Sequence, residues 1–229
     1  DPVEEWRAFD ESFLERCRIL NEYAFDHLTL RSANGTDFTV GLVDGVLWAG
    51  GGELLQDNGV VFNPNIPTEE IFTAPHRLRA EGTLVSTKPL SYQGELIDGF
   101  SIRFHEGRAV EWHAERGQEV LEKLIGIDEG SAMLGELALV PLESPINQSG
   151  ILFYNTLFDE NASCHLAFGE AYPECIEGGS EMTKDELKAH GLNDSFTHVD
   201  FMIGSDDMDI DGVNKHTSKV FNTILDGFS

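Results

Sequence analysis

Residues 157–172 read LFDENASCHLAFGEAY and gather a histidine, a tyrosine, two glutamates, an aspartate and a cysteine among small and apolar neighbours. Asn161 or Ser163 can cap a helix beginning near Cys164. On that helix His165, Phe168, Gly169 and Tyr172 fall at i, i+3, i+4 and i+7 and share one face, with Glu160 just before the cap. Such a face either ligates and polarises, or it is a packed Phe and Tyr stripe with one satisfied histidine. The triplet His198-Val199-Asp200 poses the same choice. In a strand, i and i+2 project together, as a ligand pair or as a structural His–Asp hydrogen bond. Glu69 and Glu70 follow the Pro-bounded NPNIPT, and Glu136 opens the apolar run LALVP. A glutamate in either place is solvated, or it is buried and held by a cation. Taken together these fragments supply two histidines and several carboxylates without a thiolate. That ligand mix suits zinc, cobalt or manganese. With one bridging carboxylate it would form a two-metal hydrolytic centre, the ions roughly 3.5–4 Å apart.

Three other patterns lead elsewhere. Asp207, Asp209, Asp211 and Gly212 spell the opening of a calcium loop, but the twelfth position is Ser218 rather than Glu and the flanks are not helical. Cys164 and His165 diverge by about 100° on a helix, so the cysteine is read as packing. Ser149 in NQSGI lacks the G-x-S-x-G elbow of a serine hydrolase. His27, His76, His105, His113, His190 and His216 have no partner pattern. Arg77 and Arg79 in PHRLRAEG suit a structural salt bridge, or acidic ligands and backbone carbonyls.

The elements that must position these residues read as follows. Trp6, Phe9, Phe13, Cys17 and Leu20 recur at spacings of three and four, so residues 3–23 are an amphipathic helix. HLTLRS, ANGT and DFTVGL form a hairpin on Asn34-Gly35. Residues 49–59 are a Gly-rich loop, and a short strand in VVFNPNIP ends at two prolines. Residues 82–114 are antiparallel strands turning at Pro89 and at Glu106-Gly107. GQEVLEKLI is helical, and the end of a further helix in DEGSAMLG runs into a strand near Glu136. Thr183 and Glu186 make a capping box. FTHVDFMIG is a strand, and KVFNTI is a last strand candidate. Strands joined by hairpins outnumber helices. The expectation is an α+β domain with a mainly antiparallel, curved, barrel-like sheet and several packed helices.

The chain has 229 residues, 41% of them apolar, enough for a sizeable core. Fifteen Lys and Arg stand against 41 Asp and Glu, a net charge of −26. Such a surface repels phosphate backbones and anionic membranes and attracts cations. No apolar run reaches transmembrane length, and DPVEEWRAFDE is unlike a signal peptide. Cys17, Cys164 and Cys175 are too few and too scattered for a disulfide framework, and no CxxC occurs, so a reducing cytoplasm is the expected compartment.

The longer motifs NPNIPTEEIFTAPHR (63–77), PLSYQGELIDGFSIRF (89–104), GELALVP (135–141), SPINQSGILFYNTLFDENASCHLAFGEAYP (144–173) and NDSFTHVDFMIGS (193–205) resemble the aminopeptidase S and aminopeptidase T family of thermophilic-type metalloaminopeptidases. The resemblance covers nearly the whole chain but only the C-terminal, metal-bearing half of the family's architecture. It implies that residues 1–229 are one metal-binding catalytic domain and that the family's N-terminal α/β domain is absent from this chain. It further implies two divalent ions, a homodimer, and release of N-terminal amino acids from peptides with a free N-terminus by a two-metal-activated hydroxide. Carried over position by position, Glu70, Glu136 (bridging), Glu160, His165, His198 and Asp200 are implied metal ligands, and Tyr172 faces the centre. Whichever of Glu69 and Glu70 is not a ligand is the candidate general base. The rival readings are a non-catalytic metal-binding or dimerising fragment of such an enzyme, and a calcium-binding or purely structural acidic domain.

Overall fold

The computed structural model of the chain describes residues 1–55, 59–217 and 220–221. Helix α1 (Pro2–Tyr23) starts where the Asp1 carboxylate accepts the N–H of Val3, with proline in the first turn, and ends on Ala24 in the left-handed region. It buries Phe13, Cys17 and Leu20 of the expected apolar stripe, while Phe9 is half-buried and Trp6 is exposed. Strands β1 (Phe25–Arg31) and β2 (Asp37–Leu42) form the expected hairpin. A small hairpin follows, β3 (Glu53–Leu54) with β4 (Val61–Phe62), then β5 (Ile71–Thr73), β6 (Pro75–Val85), β7 (Leu90–Tyr92), β8 (Glu95–His105) and β9 (Arg108–Arg116). Helix α2 (Gln118–Ile125) leads into β10 (Leu134–Leu139), and the short helices α3 (Pro145–Ser149) and α4 (Thr156–Asp159) precede β11 (His165–Gly169). Helix α5 (Lys184–Ala189) opens on the predicted capping box of Thr183 and Glu186. Strands β12 (His198–Met202), β13 (Asp209–Asn214) and β14 (Val220–Phe221) complete the described chain.

Pairing among the described strands is antiparallel throughout. One sheet of eight strands runs β14-β13-β1-β2-β6-β8-β7, with β9 pairing β8, and a second of four runs β12-β11-β10-β5. The expected barrel-like closure is not formed. The order of the larger sheet is an open path, and its apolar face is covered by the smaller sheet instead. Phe104 of β8 stacks on Phe168 of β11 at 6.0 Å, Phe168 lies 5.0 Å from Phe201 of β12, and Phe100 of β8 lies 5.9 Å from Phe201. The four-stranded sheet therefore has one face packed into the core and the other available for chemistry.

The largest departure from the sequence reading is at 164–172. Residues 165–169 are a strand, not a helix, and Tyr172 lies in the loop beyond it. All five strand residues are buried between β10 and β12. A short run of buried residues is one that periodicity does not distinguish from a buried helix segment. The last strand candidate is present as Val220–Phe221, and the rest of KVFNTI lies outside the described residues. Ser218, the twelfth position of the calcium-like pattern, is also outside them. Asp207 there accepts the Ser32 and Ser205 hydroxyls and the Ala33 N–H, and β13 begins at Asp209, so the pattern forms a loop-to-strand clasp.

Candidate metal centre

The open face of the four-stranded sheet presents a pair of chemical side chains from β12 and one each from β11 and β10, with a further one from the residue just before β5. On β12, His198 and Asp200 project together by the two-residue period. Register places Asp200 opposite Ala167 and His198 opposite Gly169 on β11, while His165 of β11 lies opposite Ala138 of β10. The shift in register between Leu134 and Glu136 marks a bulge at Gly135. The bulge re-aims Glu136 onto the face shared by His165. A side chain on Gly135 is impossible, because its Cβ would lie 2.2 Å from the Glu170 carbonyl oxygen. Glu70 sits immediately before β5, at the far edge of the sheet. Ala138, Ala167 and Gly169 are the small residues between these groups, and they leave the space above the sheet open.

Six predicted residues converge. The His165 Nε2 lies 3.0 Å from Glu70 Oε2 and 3.4 Å from Glu136 Oε1. The His198 Nε2 lies 3.4 Å from the other Glu136 oxygen, Oε2, and 3.3 Å from Asp200 Oδ1. Two ligand sets result, Glu70–Glu136–His165 and Glu136–His198–Asp200, each with its donor atoms within 4.8 Å of one another. Glu136 belongs to both, one oxygen turned to each histidine. Glu160, on the 3₁₀ turn after α4, hydrogen-bonds Asp200 and completes the group.

The second nitrogen of each histidine fixes its tautomer. His165 Nδ1 meets the Ser163 carbonyl at 3.1 Å, and His198 Nδ1 meets the Glu170 carbonyl at 2.8 Å. A carbonyl only accepts, so both Nδ1 atoms carry hydrogen and both Nε2 lone pairs face the carboxylates in the neutral ring. Lone pair against carboxylate is repulsive unless a proton or a metal ion lies between them. The buried atoms His165 Nε2, Glu70 Oε2 and Asp200 Oδ1 have no aligned hydrogen-bond partner. These atoms are left for a proton or a metal cation.

Electrostatics agree. Glu70, Glu136, Glu160 and Asp200 are 8%, 4%, 8% and 6% exposed. Four carboxylates buried in one cluster require compensating positive charge. In the metal-free cluster, burial and the neighbouring Asp200 and Glu70 carboxylates push Glu160 up to about 9. Burial also raises Glu70. Burial opposes a charged His198, but its contacts with Asp200 and Glu136 win and raise it to about 11. Burial alone would drive Asp200 up, yet His198 and His165 hold it down. The Tyr172 ring lies 4.7 Å from the His198 ring and 6.0 Å from Phe72. Burial, then the Glu136, Asp200 and Glu160 carboxylates, raise its phenol well above the ordinary value, so it remains an O–H donor near neutral pH.

A cavity of about 620 Å³ opens over the cluster, lined by Glu70, Glu136, Glu160, Tyr172, His198 and Asp200 among others. Glu69 is not among its walls. It borders a separate recess beside Pro2, Trp6 and Phe9 of α1, where burial raises its carboxyl and Arg16 opposes the rise. The two adjacent glutamates therefore border different hollows. Arg79 pairs with Asp26 at 2.8 Å, a structural bridge, and Arg77 does not line the cavity. Cys164 is buried against Val140 as packing.

Sequence reasoning missed the groups that hold the ligands in place. Asn161 is buried, accepts the Glu69 N–H at 2.6 Å and donates to the Leu157 carbonyl at 2.9 Å, tying the Glu70 loop to α4. Asn193 donates to the Gly130 and Gly169 carbonyls at 2.8 and 2.7 Å, fixing the end of β11. Asparagines next to turns were the available signal, but they are common wherever chains turn.

The chain is 51% identical over 215 residues to aminopeptidase 2 of Geobacillus stearothermophilus, covering 94% of this chain and 52% of that protein. The structure of wild-type AmpT from Thermus thermophilus superposes with a TM-score of 0.89 at 45% identity, over 96% of this chain and 54% of that one. A more distant likeness, TM-score 0.59 at 18% identity over 89% of this chain and 58% of that one, is to 2,5-dihydroxypyridine dioxygenase from Pseudomonas putida KT2440, and concerns the fold alone. The chain therefore spans about half the length of the relatives it matches. The family profile described as thermophilic metalloprotease (M29) matches residues 1–223, and the chain belongs to that family.

Proposed function

We propose that this chain carries the catalytic centre of a metal-dependent aminopeptidase that removes N-terminal residues from peptides. The observation that carries the reading is Glu136, whose two carboxylate oxygens face two different histidines and so join two ligand sets into one centre. The relatives are named aminopeptidases, which supports the same activity here. Glu70, Glu136 and His165 would hold one divalent ion, and Glu136, His198 and Asp200 the other, with Glu160 beside Asp200; zinc, cobalt and manganese all suit these donors. Bound ions of this kind supply a water acidic enough to be a nucleophile near neutral pH and polarise the carbonyl it attacks.

The chain's own residues do the rest. The Ser163 and Glu170 carbonyls hold both imidazoles in the ligating tautomer. Tyr172 presents its O–H to the cavity, where it can donate to an oxyanion developing on the substrate carbonyl. The acidic lining attracts the cationic α-amine of a peptide and repels a C-terminal carboxylate, which favours cleavage from the N-terminal end. Glu70 takes the ligand role, and Glu69, turned to the α1 recess, does not reach the cavity. A cytoplasmic, homodimeric enzyme is consistent with this reading. Among the described residues no helix is long and apolar enough to cross a membrane.

The test is turnover of amino-acyl anilides with added Zn²⁺, Co²⁺ or Mn²⁺, repeated with Glu136→Gln. Activity requiring metal and lost in that variant is expected. Metal-dependent turnover that survives it would sink the bridging role. The rival reading is a non-catalytic metal-binding or dimerising fragment. Two bound ions with no turnover of any anilide would select it.

A further inference from the structure

The hollow above the cluster continues sideways. A second cavity of about 430 Å³ adjoins the first, and Pro64, Asn65, Glu70, Phe72 and Glu174 line both. Its remaining walls include Leu14 and Cys17 of α1, Trp48, Ala49 and the backbone of Gly50 to Gly52. The first cavity holds the carboxylates and histidine of the cluster; the second has no histidine and has Leu14, Cys17, Trp48, Ala49 and Phe72 among its walls, with Thr68 and Ser180 as further polar residues. We propose that this second cavity receives the side chain of the substrate's N-terminal residue and selects bulky apolar side chains, aromatic ones included. The assignment rests on the aminopeptidase reading.

Three observations support it. First, the reacting carbonyl must lie over Glu70, Glu136 and Asp200, so the Cα of the N-terminal residue sits in the acidic cavity and its side chain must leave in some direction. The second cavity begins at Glu70 and Phe72, a ligand and the residue two positions beyond it. Second, small-molecule pockets of ~300–1,000 Å³ enclose whole ligands, so this volume accommodates any single apolar side chain. Third, its neck carries the carboxylates of Glu70 and Glu174, which oppose entry of an acidic side chain. The wall is also held rigidly against the metal cluster. The Ala49 N–H donates to the Phe72 carbonyl at 2.9 Å, and the Phe72 N–H donates to the Ala49 carbonyl at 2.8 Å. At Gly50 a Cβ would stand 2.7 Å from the Glu70 carbonyl oxygen, so only glycine allows this approach.

The experiment narrows the pocket at two of its walls with Ala49→Leu and, separately, Leu14→Trp. Leu14 is more than half exposed, so the α1 surface tolerates added bulk there. Metal-loaded wild type and variants are compared on Ala-, Phe- and Glu-anilides. In parallel, calorimetry measures binding of L-phenylalaninol and L-alaninol, a readout that needs no turnover. The wild type is expected to favour Phe over Ala in kcat/KM by ~10-fold or more, and Ala over Glu, within the range a hydrophobic pocket supplies. The Phe-to-Ala ratio should fall by ~10-fold in at least one folded variant. An unchanged ratio in both folded variants, or a wild type that prefers Glu or Ala to Phe, overturns the assignment. Should the wild type turn over no anilide yet bind phenylalaninol more tightly, with the preference lost in Ala49→Leu, the pocket stands and the aminopeptidase reading falls. Turnover without side-chain preference removes the pocket and leaves the activity.

Discussion

At the scale of single residues, the adjacent pair Glu69 and Glu70 shows how little type and spacing alone can settle. Both follow the same proline-bounded loop, and both are partly or wholly withdrawn from water. Only Glu70 reaches His165. Glu70→Gln is therefore expected to lower the bound metal from two equivalents toward one and kcat/KM by ~100-fold or more, as loss of a group acting at the reacting atoms does. Glu69→Gln should change metal content not at all and kcat/KM by less than ~3-fold, the ordinary effect of a polar change away from the site. Plasma emission spectrometry with anilide kinetics reads both. A Glu69→Gln enzyme as dead as Glu70→Gln would restore Glu69 as the base. Tyr172 makes a cleaner case, since its phenol keeps its proton near pH 7. Tyr172→Phe should keep both ions and KM and lose ~10²–10³ in kcat, the cost of one oxyanion donor. A matching loss of metal would show instead that the ring supports His198.

At the scale of elements, the site was legible as a set of residues and illegible as a shape. His198-Val199-Asp200 was readable because a two-residue period in a strand puts both side chains on one face. The helix assigned to 164–172 singled out the histidine that the strand brings to the cluster, but by a wrong geometry. His165 meets Glu136 through cross-strand register and a bulge, not through a helical stripe with Tyr172. No local signal reports a register between strands some thirty residues apart, and the glycines that permit it read as loop residues. Gly169 is the sharpest instance. Its φ is +102°, and a Cβ would lie 1.9 Å from the Thr197 carbonyl oxygen. Gly169→Ala must separate β11 from the start of β12. Its expected cost is ~3 kcal/mol or more from combined clash and left-handed strain. Denaturant titration measures that cost, and weakened metal affinity should accompany it because His198 lies opposite this glycine. A full-stability Gly169→Ala protein with two ions would mean that the register is not what aligns the ligands. The clasp at Asp207 gives an element-scale pH effect. The Ser205 hydroxyl, the Ala33 N–H and the Ser32 hydroxyl hold its carboxyl down to about 2, below the ordinary aspartate. A carboxylate lowered on folding stabilises fully above its unfolded value of ~3.9 and loses that contribution as pH falls toward 2. The melting-temperature gap between wild type and Asp207→Asn should be widest above pH 5 and close progressively below pH 4. A gap independent of pH would assign the effect to shape rather than charge.

At the scale of the whole molecule, charge and metal are linked. The chain carries −26, and four of its carboxylates are buried within one cluster. Without ions, that cluster is relieved only by protons on Glu160 and Glu70 and on the two histidines, and the charge it retains weakens the folded state. Ions that bind the folded chain and not the unfolded one add ~2.7 kcal/mol at a hundredfold excess over Kd. For a chain of this length that corresponds to a rise in Tm of ~5–10 °C. Chelation with EDTA at pH 7 is therefore expected to lower the melting temperature by about that amount, and zinc, cobalt or manganese to restore it. Calcium should restore little, because hard-cation sites seldom take imidazole ligands. In Glu136→Gln the response to added metal should shrink for both ions together, since one carboxylate serves both sets. Differential scanning calorimetry across chelated, reloaded and mutant protein separates these outcomes. A melting temperature indifferent to EDTA would leave the four buried carboxylates without the counter-charge that their geometry requires, and the two-ion reading would fail at its foundation.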